Sequence, residues 1–262
     1  MKLGRRCIQV QCDLSDAISV GELIPRLLLS LDPPVHLAPT DRPISTTTTA
    51  ATTTTTAKAV PHMITEKPQQ APGMPTIPNN DIHILINNAA ILEVYPAEEY
   101  PMSSFSHIIQ TNLSSPFQLC RDIGAYWLQE VLPTTGGRVS DRSIINVSSV
   151  LGYQGGTTVP AYSTSKGGLL QVTKALGNEW AAKGIRVNGI GPGACDTDMN
   201  YLARDSRAAA TAQAKMYIER IPAKRWGTAE DFKGIAVFLA SGKASGYITG
   251  ETVMVDGGWM AS

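Results

Sequence analysis

Tyr162 and Lys166 have the residue types and the spacing for acid–base chemistry. They are four residues apart in a stretch that favours a helix, so they would share one helix face. A lysine ammonium beside a buried phenol favours the phenolate and lowers a pKa that is otherwise about 10, which makes the tyrosine a proton donor or acceptor near neutral pH. Ser149 stands thirteen residues before the tyrosine, and its hydroxyl could hydrogen-bond the oxygen being protonated. Taken alone, the Tyr–Lys spacing also fits an ordinary surface pair.

The surrounding sequence predicts elements that bring these side chains together. Ser143 to Val147 is a β-branched run typical of a short strand, and Ser148 and Ser149 stand where that strand ends. A glycine-rich loop follows, and the chain turns helical from Ala161 onward. This order of strand, loop and helix places the serine hydroxyl at a strand end and the phenol near the start of a helix.

Composition narrows the class of protein. The chain has 262 residues, 43% of them hydrophobic, which fits a single α/β domain over residues 1–262. Lys plus Arg and Asp plus Glu each number 22, without a charged block, which argues against nucleic acid or an anionic membrane as partner. The four cysteines and four histidines lack metal-ligand spacing, so we expect no metal site. No run reaches about 18 apolar residues, and we expect a cytoplasmic protein.

The first 80 residues divide into a short ordered stretch and a biased one. Cys7 to Gln11 reads as a strand that ends near Asp13, and a helix follows through about Leu29. Residues 30–80 have Pro-rich ends around a threonine tract and show no hydrophobic periodicity. Such a segment cannot bury enough apolar surface to offset its ordering entropy, so we predict a disordered insertion within the domain.

Two ordered elements follow the insertion. Ile82 to Ile86 predicts a strand buried on both faces of a parallel sheet, and the asparagines that follow fit a simple turn. The next helix starts at Ser103 or Ser104 and contains Pro116, which predicts a kink or break. Asn112 lies just before that break, where a polar side chain can bond to freed backbone.

The joint order of the stretches INNAA, SIINVSSVLGYQGGTTVPAYSTSK, GPGACDT and VDGGW resembles the short-chain dehydrogenase/reductase family. The resemblance covers roughly 200 residues. It implies a Rossmann-type, doubly wound parallel sheet and an NAD- or NADP-dependent oxidoreductase. The runs TKALGNEWAAKGIRVN and RIPAKRWGTAEDFKG resemble more narrowly the branch of 2-deoxy-D-gluconate 3-dehydrogenases and 2-dehydro-3-deoxy-D-gluconate 5-dehydrogenases. A small sugar acid or polyol is then the expected substrate, interconverted between secondary alcohol and ketone.

The resemblance also implies residue roles. Ser149 and Tyr162 would hold the substrate oxygen, Lys166 would lower the tyrosine pKa and contact the nicotinamide ribose, and Asn112 would hold a water in the proton path. The cofactor-binding positions would be Asp13, Asn88, Ala89, Tyr162, Lys166, Pro192, Gly193 and Thr197. Asp13 fits equally a plain turn or helix-capping residue. By resemblance, residues 199–214 cover the substrate and the C-terminal strand makes a homo-oligomer contact.

One part of the family pattern is missing from the sequence. The family's first strand and glycine-rich phosphate loop have no counterpart before Cys7, so the expected fold is N-terminally truncated. The strand Ile82 to Ile86 would then have an open edge, unless Cys7 to Gln11 pairs with it directly. A catalytically impaired chain or a non-catalytic scaffold is therefore the alternative to an active enzyme.

Overall fold

The computed structural model describes residues 82–131, 141–197, 199 and 215–262, together with Ser15, Asp16, Val20 and Leu23. The predicted strand Cys7 to Gln11, the predicted insertion at 30–80 and Asp13 all lie outside these residues. So does nearly all of the segment 199–214. The predicted helix after Asp13 is confirmed where it can be checked, since Val20 and Leu23 are helical.

Four parallel strands form the sheet within the described residues: β1 (Ile84–Asn87), β2 (Arg142–Val147), β3 (Ile185–Pro192) and β4 (Thr252–Val255). They lie in the order β1-β2-β3-β4. β1 and β2 match the strands predicted at Ile82 to Ile86 and Ser143 to Val147, and the parallel α/β architecture is confirmed. Parallel strands need crossover connections, and helices supply them here.

The helices are α1 (Met102–Ile109), α2 (Ser115–Tyr126), α3 (Pro160–Trp180), α4 (Ala229–Ala240) and the short α5 (Gly242–Ser245). Gly184 ends the α3 region with a left-handed φ of 87°, a conformation that glycine adopts without strain. A further helical stretch covers residues 215–220.

Two layers of helices cover the sheet. Ile144 packs on one face against Leu119, Ile123 and Leu176 of α2 and α3. The next residue, Ile145, packs on the other face against Leu239 of α4. Successive side chains of a strand point to opposite faces, so this pair fixes helices on both sides and gives the expected Rossmann-like sandwich.

Polar side chains also link the elements inside this core. Asn87 Nδ2 donates to Asn146 Oδ1 at 2.8 Å, joining β1 to β2, and also contacts Cys120 Sγ at 3.3 Å. Asn146 Nδ2 in turn donates to Thr173 Oγ1 of α3 at 3.0 Å. Buried amides need such partners, and here they connect two strands to two helices.

The predicted burial of β1 on both faces is wrong at one position. Ile86 exposes 51% of its surface, while Asn87 beside it is buried. Burial on both faces requires cover from neighbouring elements, and β1 is the edge strand of the described sheet.

The kink expected at Pro116 takes the form of a π-helical turn. Gln110–Ser114 form this turn between α1 and α2, and Pro116 occupies the first turn of α2. Ser115 Oγ donates to the carbonyl of Gln110 at 2.9 Å, so a side chain takes up backbone bonding there. Single π-turns of this kind bend a helix without ending it.

Within the described ranges, no helix is long and apolar enough to cross a membrane. Those same residues contain no cluster of three metal-ligating side chains.

Candidate active site

The predicted catalytic side chains meet near the carboxyl edge of the sheet. Because all four strands are parallel, their carboxyl ends lie along one edge, the place where ligands bind in open α/β sheets. Ser149 follows β2, and Tyr162 is the third residue of α3. Ser149, Tyr162 and Lys166 expose only 7%, 9% and 2% of their surfaces.

Ser149 is fixed by the turn that follows it. Its Oγ accepts a hydrogen bond from the backbone N–H of Leu151 at 3.1 Å, capping the short 3-10 helix Val150–Gly152. Ser148 beside it donates to the carbonyl of Lys166 at 2.9 Å, which attaches the end of β2 to α3. The two serines that end the strand therefore have different tasks: one positions the helix and the other faces the phenol.

The Ser149 hydroxyl interacts with the phenol of Tyr162, and this interaction by itself acts to lower the phenol pKa. The Nζ of Lys166 lies 5.7 Å from the centroid of the Tyr162 ring. It donates to the backbone carbonyl of Val147 at 2.7 Å, so the ammonium is anchored to the end of β2. The spacing of four residues has thus placed the phenol and the ammonium on one face, as predicted.

The expected lowering of the Tyr162 pKa is wrong for the chain by itself. Burial raises the pKa of Tyr162 to about 12, because the effect of burial outweighs the lowering effect of Ser149. The nearby Cys195 also raises the pKa of Tyr162. Burial also lowers the pKa of Lys166 to about 8. The phenol is therefore protonated at neutral pH, and the lysine has a weaker hold on its proton than an exposed lysine.

Asn112 lies in the π-turn and is completely buried. Its side chain bonds to both backbone groups of Ile91, and Nδ2 also donates to Ser165 Oγ at 3.2 Å. Pro116 has no N–H, so the Asn112 carbonyl, four residues earlier, cannot take the usual helical hydrogen bond. Through its bond to Ser165, Asn112 contacts the residue that directly precedes Lys166 in α3.

The predicted cofactor residues lie at the same edge, with the exception of Asp13, which is outside the described residues. Asn88 and Ala89 are exposed immediately after β1. Pro192 ends β3, and the N–H of Gly193 donates to the carbonyl of Val255 at 3.1 Å. Thr197 is exposed at the end of the loop that follows. A ligand lying across the strand ends would pass these positions.

A group that sequence reasoning missed lies beside the Ser149 turn. Trp259 packs with Val150 and Ile221 in a small core cluster. The guanidinium of Arg220 lies over the Trp259 ring, 4.0 Å from its centroid. Arg220 Nη2 also donates to Gln154 Oε1 at 3.2 Å. These residues are far apart in sequence and none carries a local signal, so only the fold reveals them.

Comparison with known proteins places this geometry in a family. The family described as Enoyl-(Acyl carrier protein) reductase matches residues 37–260 of the chain. A 2-dehydro-3-deoxy-D-gluconate 5-dehydrogenase from Bacillus subtilis is 41% identical over 183 residues, which are 70% of this chain and 66% of that protein. The chain thus spans slightly less than two thirds of the length of that relative.

Solved structures give the same result. A putative NAD(P)-dependent gluconate 5-dehydrogenase from Beutenbergia cavernae, with bound NADP at low occupancy, superposes with a TM-score of 0.70 at 29% identity, over 97% of this chain and 76% of that one. A gluconate 5-dehydrogenase from Burkholderia cenocepacia, in complex with NADP and tartrate, gives 0.61 at 31% identity, over 69% and 66%. With this agreement of sequence and fold, the chain belongs to the short-chain dehydrogenase/reductase family.

Proposed function

We propose that the chain interconverts a secondary alcohol and a ketone on a sugar acid, with NAD or NADP as the hydride carrier. The observation that carries this proposal is the buried group of Ser149, Tyr162 and Lys166, in which the Lys166 ammonium lies 5.7 Å from the Tyr162 ring on the same helix face. Those groups lie at the carboxyl edge of a parallel sheet, where a substrate can meet a nucleotide. The sugar-acid class is supported by the relatives and structural neighbours, which are named for gluconate or its derivatives.

The residues present fit the nicotinamide half of such a cofactor. Asn88 and Thr197 expose an amide and a hydroxyl that can hydrogen-bond ribose or carboxamide groups. Lys166 has three N–H donors and spends one on the Val147 carbonyl, which leaves two for a ribose hydroxyl. When bound, the nicotinamide supplies or accepts the hydride.

The protein supplies the proton and the orientation. In the reducing direction Ser149 and Tyr162 donate hydrogen bonds to the ketone oxygen. As a hydride reaches the carbonyl carbon, the C=O π bond breaks and the phenol proton of Tyr162 moves to the oxygen, giving the secondary alcohol. A phenol with a pKa of about 12 is protonated at neutral pH, as proton donation to the ketone oxygen requires. The reverse reaction needs the phenolate, which nearby positive charge favours.

Asn112 would complete the proton path. Both of its Nδ2 hydrogens are used by Ile91 and Ser165. A water held here would therefore bind the Asn112 backbone carbonyl, which Pro116 leaves without its helical partner, or the second lone pair of Oδ1. Such a water could return a proton to Tyr162 through Lys166.

The test compares Tyr162→Phe with wild type in the oxidation of D-gluconate by NAD or NADP, followed by the absorbance of the reduced nicotinamide. Loss of a general acid–base group should lower kcat about 10²- to 10⁴-fold. Tyr153→Phe is the matched control, because Tyr153 is 45% exposed on the loop before α3. Wild-type turnover by Tyr162→Phe would refute the assignment.

A non-catalytic scaffold is the second candidate, and the observation that favours it is Ile86. An apolar strand residue that is 51% exposed at a sheet edge offers a surface for another strand or subunit. Titration of the purified chain with NADH and with NADPH separates the two proposals. Saturable nicotinamide fluorescence changes support the enzyme, whereas no change with either nucleotide supports the scaffold.

We also propose that the chain forms a homo-oligomer. Val237 and Phe238 of α4 expose 70% and 37% of their surfaces, and Tyr247 after α5 is fully exposed. Exposed apolar side chains that lie close together are typical of protein–protein contacts. Sedimentation at several concentrations should show a species larger than 28.0 kDa, and Val237→Glu should shift it toward the monomer.

A further inference from the structure

We propose that Arg220 binds the carboxylate of the acid substrate and so selects sugar acids over neutral polyols. This inference rests on the proposed function and assigns to one residue the recognition of the substrate class. It is carried by the position of Arg220 beside the Ser149 turn, by its two attachments there, and by the absence of a carboxylate partner among the described residues.

The position follows from the packing of Trp259. Its side chain is 6% exposed and lies in one cluster with Val150, the residue directly after Ser149. Tyr217 stacks on Trp259 with ring centroids 5.6 Å apart and an interplanar angle of 27°. The aromatic ring is therefore held against the turn that positions the catalytic serine, and Arg220 lies on that ring.

Arg220 is attached to this surface at two points. Its guanidinium carbon is 4.0 Å from the centroid of the Trp259 ring, which is close enough for a cation–π interaction. Its Nη2 donates to Gln154 Oε1 at 3.2 Å. The backbone N–H of Gln154 is itself bonded to the carbonyl of Val150 at 3.1 Å, so the same turn carries both contacts. These two contacts fix the orientation of the exposed Arg220 side chain.

The charge of Arg220 is not neutralised within the described part of the chain. Arg225 binds Asp231 with both ends of its fork, at 2.8 and 2.7 Å, and Arg186 contacts Asp141 at 3.2 Å. Arg220 spends one of its five donors on a neutral amide. The remaining donors keep the planar fork that matches a carboxylate in bidentate fashion.

Lys166, the buried cation of the site, is poorly suited to this task. Its Nζ is held by the Val147 carbonyl, and burial already lowers its pKa to about 8. It must also stay close to the phenol. A substrate with its carbinol at Ser149 and Tyr162 and its carboxylate at Arg220 would be held at both ends, which fixes the reacting carbon.

The experiment measures binding of D-gluconate and of D-glucitol, its neutral counterpart, by calorimetry on the intact chain, for wild type, Arg220→Gln and Lys215→Gln. Lys215 lies in the same helical stretch, is exposed, and lies 4.0 Å from the carboxylate of Glu219, so its variant removes an equal charge. Loss of a charged hydrogen-bonded pair should weaken gluconate binding by about 10- to 100-fold, with glucitol binding unchanged. Lys215→Gln should bind both ligands as wild type does.

Kinetics should show the same selectivity. In this proposal Arg220 holds the carboxylate and takes no part in the proton or hydride transfer. Arg220→Gln should therefore raise KM for gluconate and leave kcat nearly unchanged, as expected for binding equal in ground and transition states. Arg220→Lys should restore part of the affinity, since it returns the charge without the fork.

The proposal is overturned if wild type binds glucitol as tightly as gluconate, if Arg220→Gln keeps the preference, or if Lys215→Gln loses it equally. Those outcomes leave the oxidoreductase proposal intact as long as turnover depends on Tyr162. Conversely, full activity of Tyr162→Phe would refute the oxidoreductase mechanism, whatever Arg220 binds.

Discussion

Asn112 pairs with Ile91 as one strand residue pairs with another. Its Oδ1 accepts from the N–H of Ile91 and its Nδ2 donates to the carbonyl of Ile91, both at 2.9 Å. Ile91 follows the exposed pair Asn88 and Ala89, so this side chain fixes the loop that leaves β1. An asparagine in the helical layer thus shapes the proposed cofactor edge of the sheet, in addition to any role in the proton path.

Asn112→Asp should destabilise the fold strongly. The new carboxylate keeps an acceptor for the Ile91 N–H, but it has no donor for the Ile91 carbonyl or Ser165 Oγ and is completely buried. We expect a loss of about 3 kcal/mol in the free energy of unfolding, measured by urea denaturation. Asn88→Asp, an exposed change in the same loop, should stay within about 0.5 kcal/mol. Equal effects of the two variants would contradict the pairing.

Lys166→Met should raise stability, most at neutral pH. The folded pKa of Lys166 is about 8, below its ordinary value of 10.5, so below pH 8 the folded state carries an unfavourable buried charge. Between pH 8 and 10.5 the unfolded state binds the extra proton, and the penalty, on the order of 3 kcal/mol, disappears as pH rises. The stability difference between the variant and wild type should therefore shrink from pH 7 to pH 10. Lys174→Met, an exposed change on α3, should show no such trend.

Cys120 and Cys195 should resist alkylation in the folded protein. Burial raises the pKa of the Cys120 thiol to about 12 despite its contacts with Asn87 and Asn146. Burial, aided by the charge of Asp231, raises that of Cys195 to about 11. The thiolate is the reactive form, so iodoacetamide at pH 7.5 should leave both unmodified until denaturant is added. Peptide mapping by mass spectrometry reads each site separately, and early labelling of Cys195 would contradict its burial beside Tyr162.

Gly177→Ala should destabilise the protein, although alanine is the better helix former. A Cβ at Gly177 of α3 would lie 2.6 Å from the backbone nitrogen of Gly250, which cannot move aside like a side-chain tip. We expect a loss of about 2 kcal/mol or more in thermal or urea unfolding. Gly234 of α4 has no atom within 4 Å of its added Cβ, so Gly234→Ala should stabilise by up to about 1 kcal/mol. Stabilisation by both changes would refute close packing at Gly177.

The sequence predicted what local patterns control. Apolar and β-branched runs identify β1 and β2, and the spacing of Tyr162 and Lys166 places them on one face of α3. Pro116 predicted a kink or break in the helix. That the kink is a π-turn depends on the Ser115 hydroxyl and on packing, which the proline alone does not indicate. The cofactor-binding roles of Asn88 and Thr197 remain predictions.

Properties that depend on surroundings could not be predicted in this way. The direction of the Tyr162 pKa is decided by how much water is excluded around it, and the exposure of Ile86 by what lies beside β1. Arg220 meets Gln154 and Trp259 only through long-range folding. Burial and distant contacts are properties of the assembled chain, which a local pattern does not contain.

The buried contact between Asn87 and Asn146 also bears on how the chain finds its fold. These residues are direct partners in the β1–β2 pairing. A slide of one strand by a single position would turn all of its side chains to the opposite face of the sheet. Such a slip would bring Asn87 beside Ile145 or Val147 and break its 2.8 Å hydrogen bond to Asn146 Oδ1, at a cost of about 1–3 kcal/mol. The Asn87–Asn146 pair therefore favours the observed alignment of β1 and β2, and intermediates with another alignment should be short-lived.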